Sequence, residues 1–129
     1  MRFAGYAAVF GAVDRAGDVF RAGAFAGAGN VPLLVQHRGA AVGTVAVAED
    51  ARGLRVSGEV LDAQVAALVR SGALTGLSVG YRPVVARQGA WRELTRVALV
   101  EVSLVAQPMQ RLARVEVIVP SPQGEGDRP

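Results

Sequence analysis

The apolar positions of this chain fall mostly into short alternating runs broken by glycine-rich turns, a pattern that predicts strands. In residues 2–10, Phe3, Gly5, Ala7 and Val9 face one way and Ala4, Tyr6, Ala8 and Phe10 the other. Both sides are apolar, as in a central or well-covered strand. Residues 11–17 break the run with Asp14 and an Ala16-Gly17-Asp18 turn, and residues 19–25 follow as a short irregular segment. A second apolar strand over 31–36 stops at His37-Arg38-Gly39, so the single histidine sits where a strand enters a turn. Residues 41–48 and 54–61 read as a hairpin closed by Glu49-Asp50-Ala51-Arg52-Gly53.

Helical spacing is clear in one stretch. Asp62 can cap a helix in which Val65, Leu68 and Val69 follow at i, i+3 and i+4 before Gly72 stops it. The chain then enters residues 72–83, where Leu77, Val79 and Tyr81 alternate with Ser78, Gly80 and Arg82. Gly76 and Gly80 bracket the serine. Glycine weakens a strand, so the pair predicts a bulge or the close approach of another backbone, such as a substrate chain. A tight corner packed with small residues would explain the same pattern. Residues 84–87 extend the strand past Pro83, 88–90 form a turn, and 92–107 alternate again. There Val97, Leu99, Glu101, Ser103 and Val105 share one face, which puts a carboxylate in an apolar row. A buried charge is costly without a partner, so Glu101 is expected to have one. Ser103 reads as a small residue lining the same face. A last strand covers 114–119, and 120–129, all proline, glycine and polar residues, read as a disordered tail. These elements predict a mainly β fold with some α (α+β), a small barrel or highly curved sheet occupying residues 1–119 as one domain.

Composition narrows the chemistry. At 129 residues the chain can bury roughly two thirds of its unfolded surface and fold alone. It has no cysteine, hence no disulfide, thiolate metal site or cysteine nucleophile. No apolar run is long enough for a membrane span, and residues 1–10 lack the layout of a signal peptide, so a soluble cytoplasmic protein is expected. The net charge of +3 rests on arginines spread from Arg2 to Arg128, with no lysine. A nucleic-acid binder would show a basic patch with aromatic platforms, so the salt-dependent DNA-binding barrel is the weaker reading.

Three strands each present one unusual residue: His37 at a strand end, Ser78 between glycines, and Glu101 on an apolar face. Serine needs a base to become a nucleophile, an imidazole serves near neutral pH, and a carboxylate can hold that imidazole in the required tautomer. The set is complete for acyl transfer. By residue type alone the signal is weak, because a lone histidine is usually structural and a buried glutamate often pairs with arginine; Asp14 and Asp18 are further acids whose ordinary role is in turns.

Gly5-Tyr6-Ala7-Ala8-Val9-Phe10 with Asp14, Gly17-Asp18 and Gly23-Ala24-Phe25, then Pro32-Leu33-Leu34-Val35-Gln36-His37-Arg38, come first in a series of blocks. Ala73-Leu74-Thr75-Gly76-Leu77-Ser78-Val79-Gly80-Tyr81 and Leu99-Val100-Glu101-Val102-Ser103-Leu104-Val105 with Pro108 complete it. In this order, over about residues 3–116, the blocks resemble the prohead maturation proteases of tailed phages. The resemblance implies a serine endopeptidase related to the herpesvirus assemblins, with a closed β-barrel of seven or eight strands and one or two flanking helices. It implies an enzyme inside the immature capsid, in the host bacterial cytoplasm. There it would cut a scaffold protein, or the scaffold-like arm of the major capsid protein, and itself. By position the catalytic histidine is His37 and the serine Ser78. Assemblins use a second histidine as third member; this chain has none, and Glu101 is the acid expected in its place. Asp14 and Asp18 are set aside because a glycine turn would leave them screened by solvent. Arg111 and Arg114, with backbone amides near Ser78 or in the 108–111 turn, are the oxyanion candidates. No cofactor or metal, no nucleic acid and no membrane is implied; a homodimer is, by analogy with assemblins. The lysine-free composition suggests a GC-rich genome, as for a prophage or gene transfer agent. The alternative reading is a catalytically inactive capsid-assembly or scaffold-binding module.

Overall fold

A computed structural model of the chain describes residues 1–120. Among these, eight strands and one helix follow in the order β1 (Arg2–Val9), β2 (Asp18–Phe20), β3 (Val31–Val35), β4 (Arg38–Glu49), β5 (Gly53–Glu59), α1 (Ala63–Arg70), β6 (Gly76–Gln88), β7 (Arg92–Val105) and β8 (Val115–Val119). The tail expected over 120–129 lies, from residue 121 onward, outside the described residues.

The longest strand, β7, organises the sheet. β6 pairs antiparallel with it from Gly76 opposite Val105 to Gln88 opposite Arg92. The edge that β6 leaves free takes two short parallel strands, β2 beside Arg92–Leu94 and β3 beside Val102–Leu104. From β3 the pairing continues through β4, β5 and β1 to β8. Only β3–β4 and β4–β5 are tight hairpins within that run; β1 reaches β5 and β8 across the whole chain.

Strand positions agree with the alternation, and two differences have physical causes. Asp18–Phe20, expected to be irregular, is a strand because it finds a partner in β7, which no local pattern reveals. As expected, β6 runs on past Pro83, with register shifts at Gly80/Tyr81, Pro83/Val85 and Val85/Ala86. The expected closed barrel is not formed by the strand pairing: between β6 and the segment leading into β8 there is an isolated bridge of Gly76 with Arg114, flanked by bonds from the Leu77 amide to the Ala113 carbonyl and from the Val115 amide to the Thr75 carbonyl, both 2.9 Å. Pro108 packs against Gly76 at this place, so closely that an added Cβ would lie 2.6 Å from its ring.

Asp62 caps α1 as expected, its carboxylate accepting from the Val65 amide at 2.9 Å, and Gly72 follows the helix with φ +88°. Ala66 and Val69 face the core while Leu68 is largely exposed, so the buried stripe is narrower than the spacing suggested. Phe3, Phe20, Phe25, Leu33, Leu54, Val56, Leu77, Leu94 and Leu104 fill the interior between the sheet's faces.

Leu104 is fully buried and lies on β7 between β3 and β6. Leu104→Ala is expected to destabilise the fold by about 2–5 kcal/mol, from lost burial plus the cavity left behind. Urea unfolding monitored by circular dichroism measures it as a lower midpoint at unchanged slope.

Candidate active site

Because β7 pairs on both edges, its register decides which side chains meet. Ser78 lies opposite Ser103, and Gly80 opposite Glu101. Opposed residues of an antiparallel pair share a face, and so do residues two apart on one strand. Ser78, Ser103, Glu101 and the bare backbone of Gly80 therefore crowd one patch of the sheet. On the other edge of β7, Val35 of β3 pairs with Leu104, and the Gln36 amide donates to the Leu104 carbonyl at 3.0 Å. The chain then turns through Gln36 and His37 into β4, where Val35 opposes Arg38.

That turn is strained. Gln36 and His37 have φ of 54° and 61°, the left-handed region in which glycine or asparagine is usual. Two hydrogen bonds to β7 and its exit hold it: the His37 amide donates to Ser103 Oγ at 3.1 Å, and the Ala106 amide donates to Gln36 Oε1 at 3.0 Å. Non-glycine residues in this region persist where the surroundings over-determine them, and they concentrate at functional sites.

The imidazole so placed meets the carboxylate. His37 Nδ1 lies 2.5 Å from Glu101 Oε1, and Ser103 Oγ donates to Glu101 Oε2 at 2.7 Å. The Glu101 side chain is 10% exposed and the His37 side chain 43%, so the acid is enclosed while the ring opens outward. With Nδ1–H donating to the carboxylate, Nε2 carries the free lone pair. Gly80 is what gives the carboxylate room: a Cβ there would lie 2.3 Å from Glu101 Oε1. His37 and Ser78 line the same cavity of about 110 Å³, with Phe20, Leu77, Tyr81 and Met109 among its walls. Ser78 is buried but for 8% of its surface, and its hydroxyl is bonded to none of the described residues.

The other acids are placed elsewhere. Both are buried, contrary to the expectation of a solvent-screened turn. Asp18 is in β2, where Arg92 donates to both its oxygens at 2.8 and 2.9 Å and the Tyr81 hydroxyl donates at 2.8 Å. The Arg92 guanidinium holds the Asp18 carboxyl below the usual carboxylate range, and burial together with its bond to Asp18 pushes the Tyr81 hydroxyl well up. Asp14 accepts from the Ala16 and Asp18 amides, both at 2.9 Å, and burial raises its carboxyl. Neither touches His37. Arg111 and Arg114 line a separate groove with Arg15, beyond the 107–111 segment; Arg114 donates to the Arg111 carbonyl at 2.8 Å and to Thr75 Oγ1 at 3.4 Å. Among the described residues no group of three or more His, Asp or Glu side chains could hold a metal ion, and no helix is long and apolar enough to cross a membrane.

Sequence reasoning took Ser103 for a lining residue and passed over Gln36. Ser103 is fully buried and bonds both Glu101 and the His37 amide, so it positions the pair; its signal was its place two residues from Glu101 on one strand face. Gln36 carried no comparable signal.

A histidine held by a buried carboxylate, beside a serine on the same cavity wall, is equipment of the serine-hydrolase class. The family described as caudovirus prohead serine protease matches residues 1–124, and the chain belongs to that family. Among solved structures, the protease of the herpesvirus KSHV, in complex with a hexapeptide phosphonate inhibitor, has a similar fold with a TM-score of 0.59 and 12% identity. The similarity covers 88% of this chain and 62% of that protease, so this chain spans less than two thirds of its length. No curated protein matches the chain.

Gly80→Ala tests the placement of the carboxylate. The added methyl is expected to displace Glu101 and break its bond to His37, removing the low-field Nδ1 proton signal of the imidazole in NMR spectra. Retention of that signal would show that the carboxylate does not need the space.

Proposed function

We propose that this chain is the serine endopeptidase of capsid maturation, acting inside the prohead on the major capsid protein, a scaffold protein or both. The observation that carries the reading is the His37–Glu101 hydrogen bond at the mouth of the cavity that Ser78 lines. Membership of the prohead protease family and the herpesvirus-protease fold support the maturation role.

In the proposed mechanism His37 Nε2 takes the Ser78 proton as Oγ attacks the scissile carbonyl, then returns it to the leaving amine. Glu101 holds the ring in the matching tautomer and stabilises the imidazolium, and Ser103 keeps the carboxylate in place. A water activated by the same imidazole releases the acyl group. The oxyanion is stabilised by backbone amides beside Ser78 or in the 108–111 segment, or by the Arg111 or Arg114 guanidinium. A homodimer and self-cleavage belong to this reading, with residues 1–119 as the protease domain.

Ser78→Ala and His37→Ala are each expected to abolish cleavage while leaving the circular dichroism spectrum intact. Glu101→Gln is expected to reduce the rate by about 10²–10⁴-fold. The measurement is intact-mass spectrometry of the major capsid protein encoded beside this gene, co-expressed with each form. A defined truncation with the natural chain that is absent with Ser78→Ala supports the reading. A capsid protein left full-length by both points to a separate scaffold substrate or to an inactive assembly module.

A further inference from the structure

Apart from His37 and Ser78, the polar groups on the cavity wall are nearly all engaged within the fold. Gln110 Oε1 accepts from the Val9 amide at 2.7 Å, and its Nε2 donates to the carbonyls of Val9 at 3.0 Å and Ala12 at 3.3 Å. The Tyr81 hydroxyl donates to Asp18. Asp14 Oδ1 accepts two backbone amides. One acceptor is left over. Asp14 Oδ2 has no partner among the described residues, although Asp14 is only 8% exposed and lines the cavity. Every described polar side-chain atom that is sealed from solvent has a partner, so this oxygen is open. The nearby cation does not serve it, because Arg92 is spent on both oxygens of Asp18.

We propose that this cavity receives the substrate side chain on the acyl side of the scissile bond, and that Asp14 selects lysine there. The proposal rests on the serine-peptidase reading. The cavity, about 110 Å³, is enclosed by side chains that leave room for one inserted group. Its walls of Phe20, Leu77, Val79 and Met109 fit a methylene stem, and the single open oxygen fits a compact ammonium. Arginine's planar fork is best met by two acceptors in one plane, and Oδ1 is already engaged. An acidic side chain would meet Asp14 with Asp18 close behind. Burial raises the Asp14 carboxyl, as expected of an enclosed acid with no cation bonded to it, and an incoming ammonium would favour its ionised form.

The test uses capped aminoalkyl diphenyl phosphonates, which modify an activated serine, carrying lysine, norleucine or glutamate side chains. Rates of Ser78 modification are read by intact mass. Modification by the lysine probe is expected to be at least about tenfold faster than by the norleucine probe. In Asp14→Asn, which keeps Oδ1 for the two amides and removes the charge, that ratio should fall towards one. Equal rates in the natural chain, or an unchanged ratio in Asp14→Asn, would overturn the proposal. Should that variant fail to fold, the lysine-to-glutamate ratio of the natural chain decides: excess supports, parity overturns. A small fluorophosphonate without a side chain separates the two readings. Its reaction at Ser78 alongside lysine and norleucine probes of equal rate sinks the lysine proposal alone, whereas silence from every probe sinks the serine-peptidase reading itself.

Discussion

A carboxylate enclosed by apolar strands is the constraint that the rest of this site answers to. Glu101 sits on a strand face with Val97, Leu99 and Val105 and is buried there, where an unpaired charge would cost several kcal/mol. Each oxygen is satisfied from a different element, Oε1 by the imidazole of the β3–β4 turn and Oε2 by Ser103 of its own strand. The facing position on β6 must then be empty of side chain, and Gly80 occupies it. Satisfying the acid thus orders the base, the turn that bears it and the strand that bears the serine.

Much of this was readable beforehand. Alternation located β1, β3, β6 and β7, because each has at least one face whose burial imposes a period of two. Glu101 stood out as a polar residue on an apolar face, and the demand for a partner followed from solvation energy alone. What alternation could not supply is pairing between distant segments. β2 is three residues long and exists only because Arg92–Leu94 of β7 accept it, so Asp18 was misread as an exposed turn residue. Ser103 looked like filler for the same reason: its value comes from the His37 amide, which sits in the β3–β4 turn. Barrel closure was likewise a question of how β6 and β8 approach each other, which no local pattern shows.

The buried acids divide the labour by what was placed beside them. Asp18 is neutralised by Arg92 and locks β2, β6 and β7 together through Tyr81. Glu101 is given an imidazole that can gain or lose charge. Asp14 receives only backbone amides, on one oxygen. Identical chemistry in three surroundings yields a strut, an acid bonded to an imidazole and an acceptor with one oxygen unpartnered among the described residues.

The turn at Gln36 and His37 ties chemistry to the history of the chain. His37 is separated by 64 residues from Glu101 and by 66 from Ser103, and its backbone is held in the left-handed region by bonds that only β7 supplies. Contacts this distant in sequence form late, since loop closure must precede them. A nascent or partly folded copy has a hairpin free to relax and an imidazole without its carboxylate. Completion of the sheet is therefore what brings the imidazole to its carboxylate, and a chain whose last strands have not docked lacks that contact.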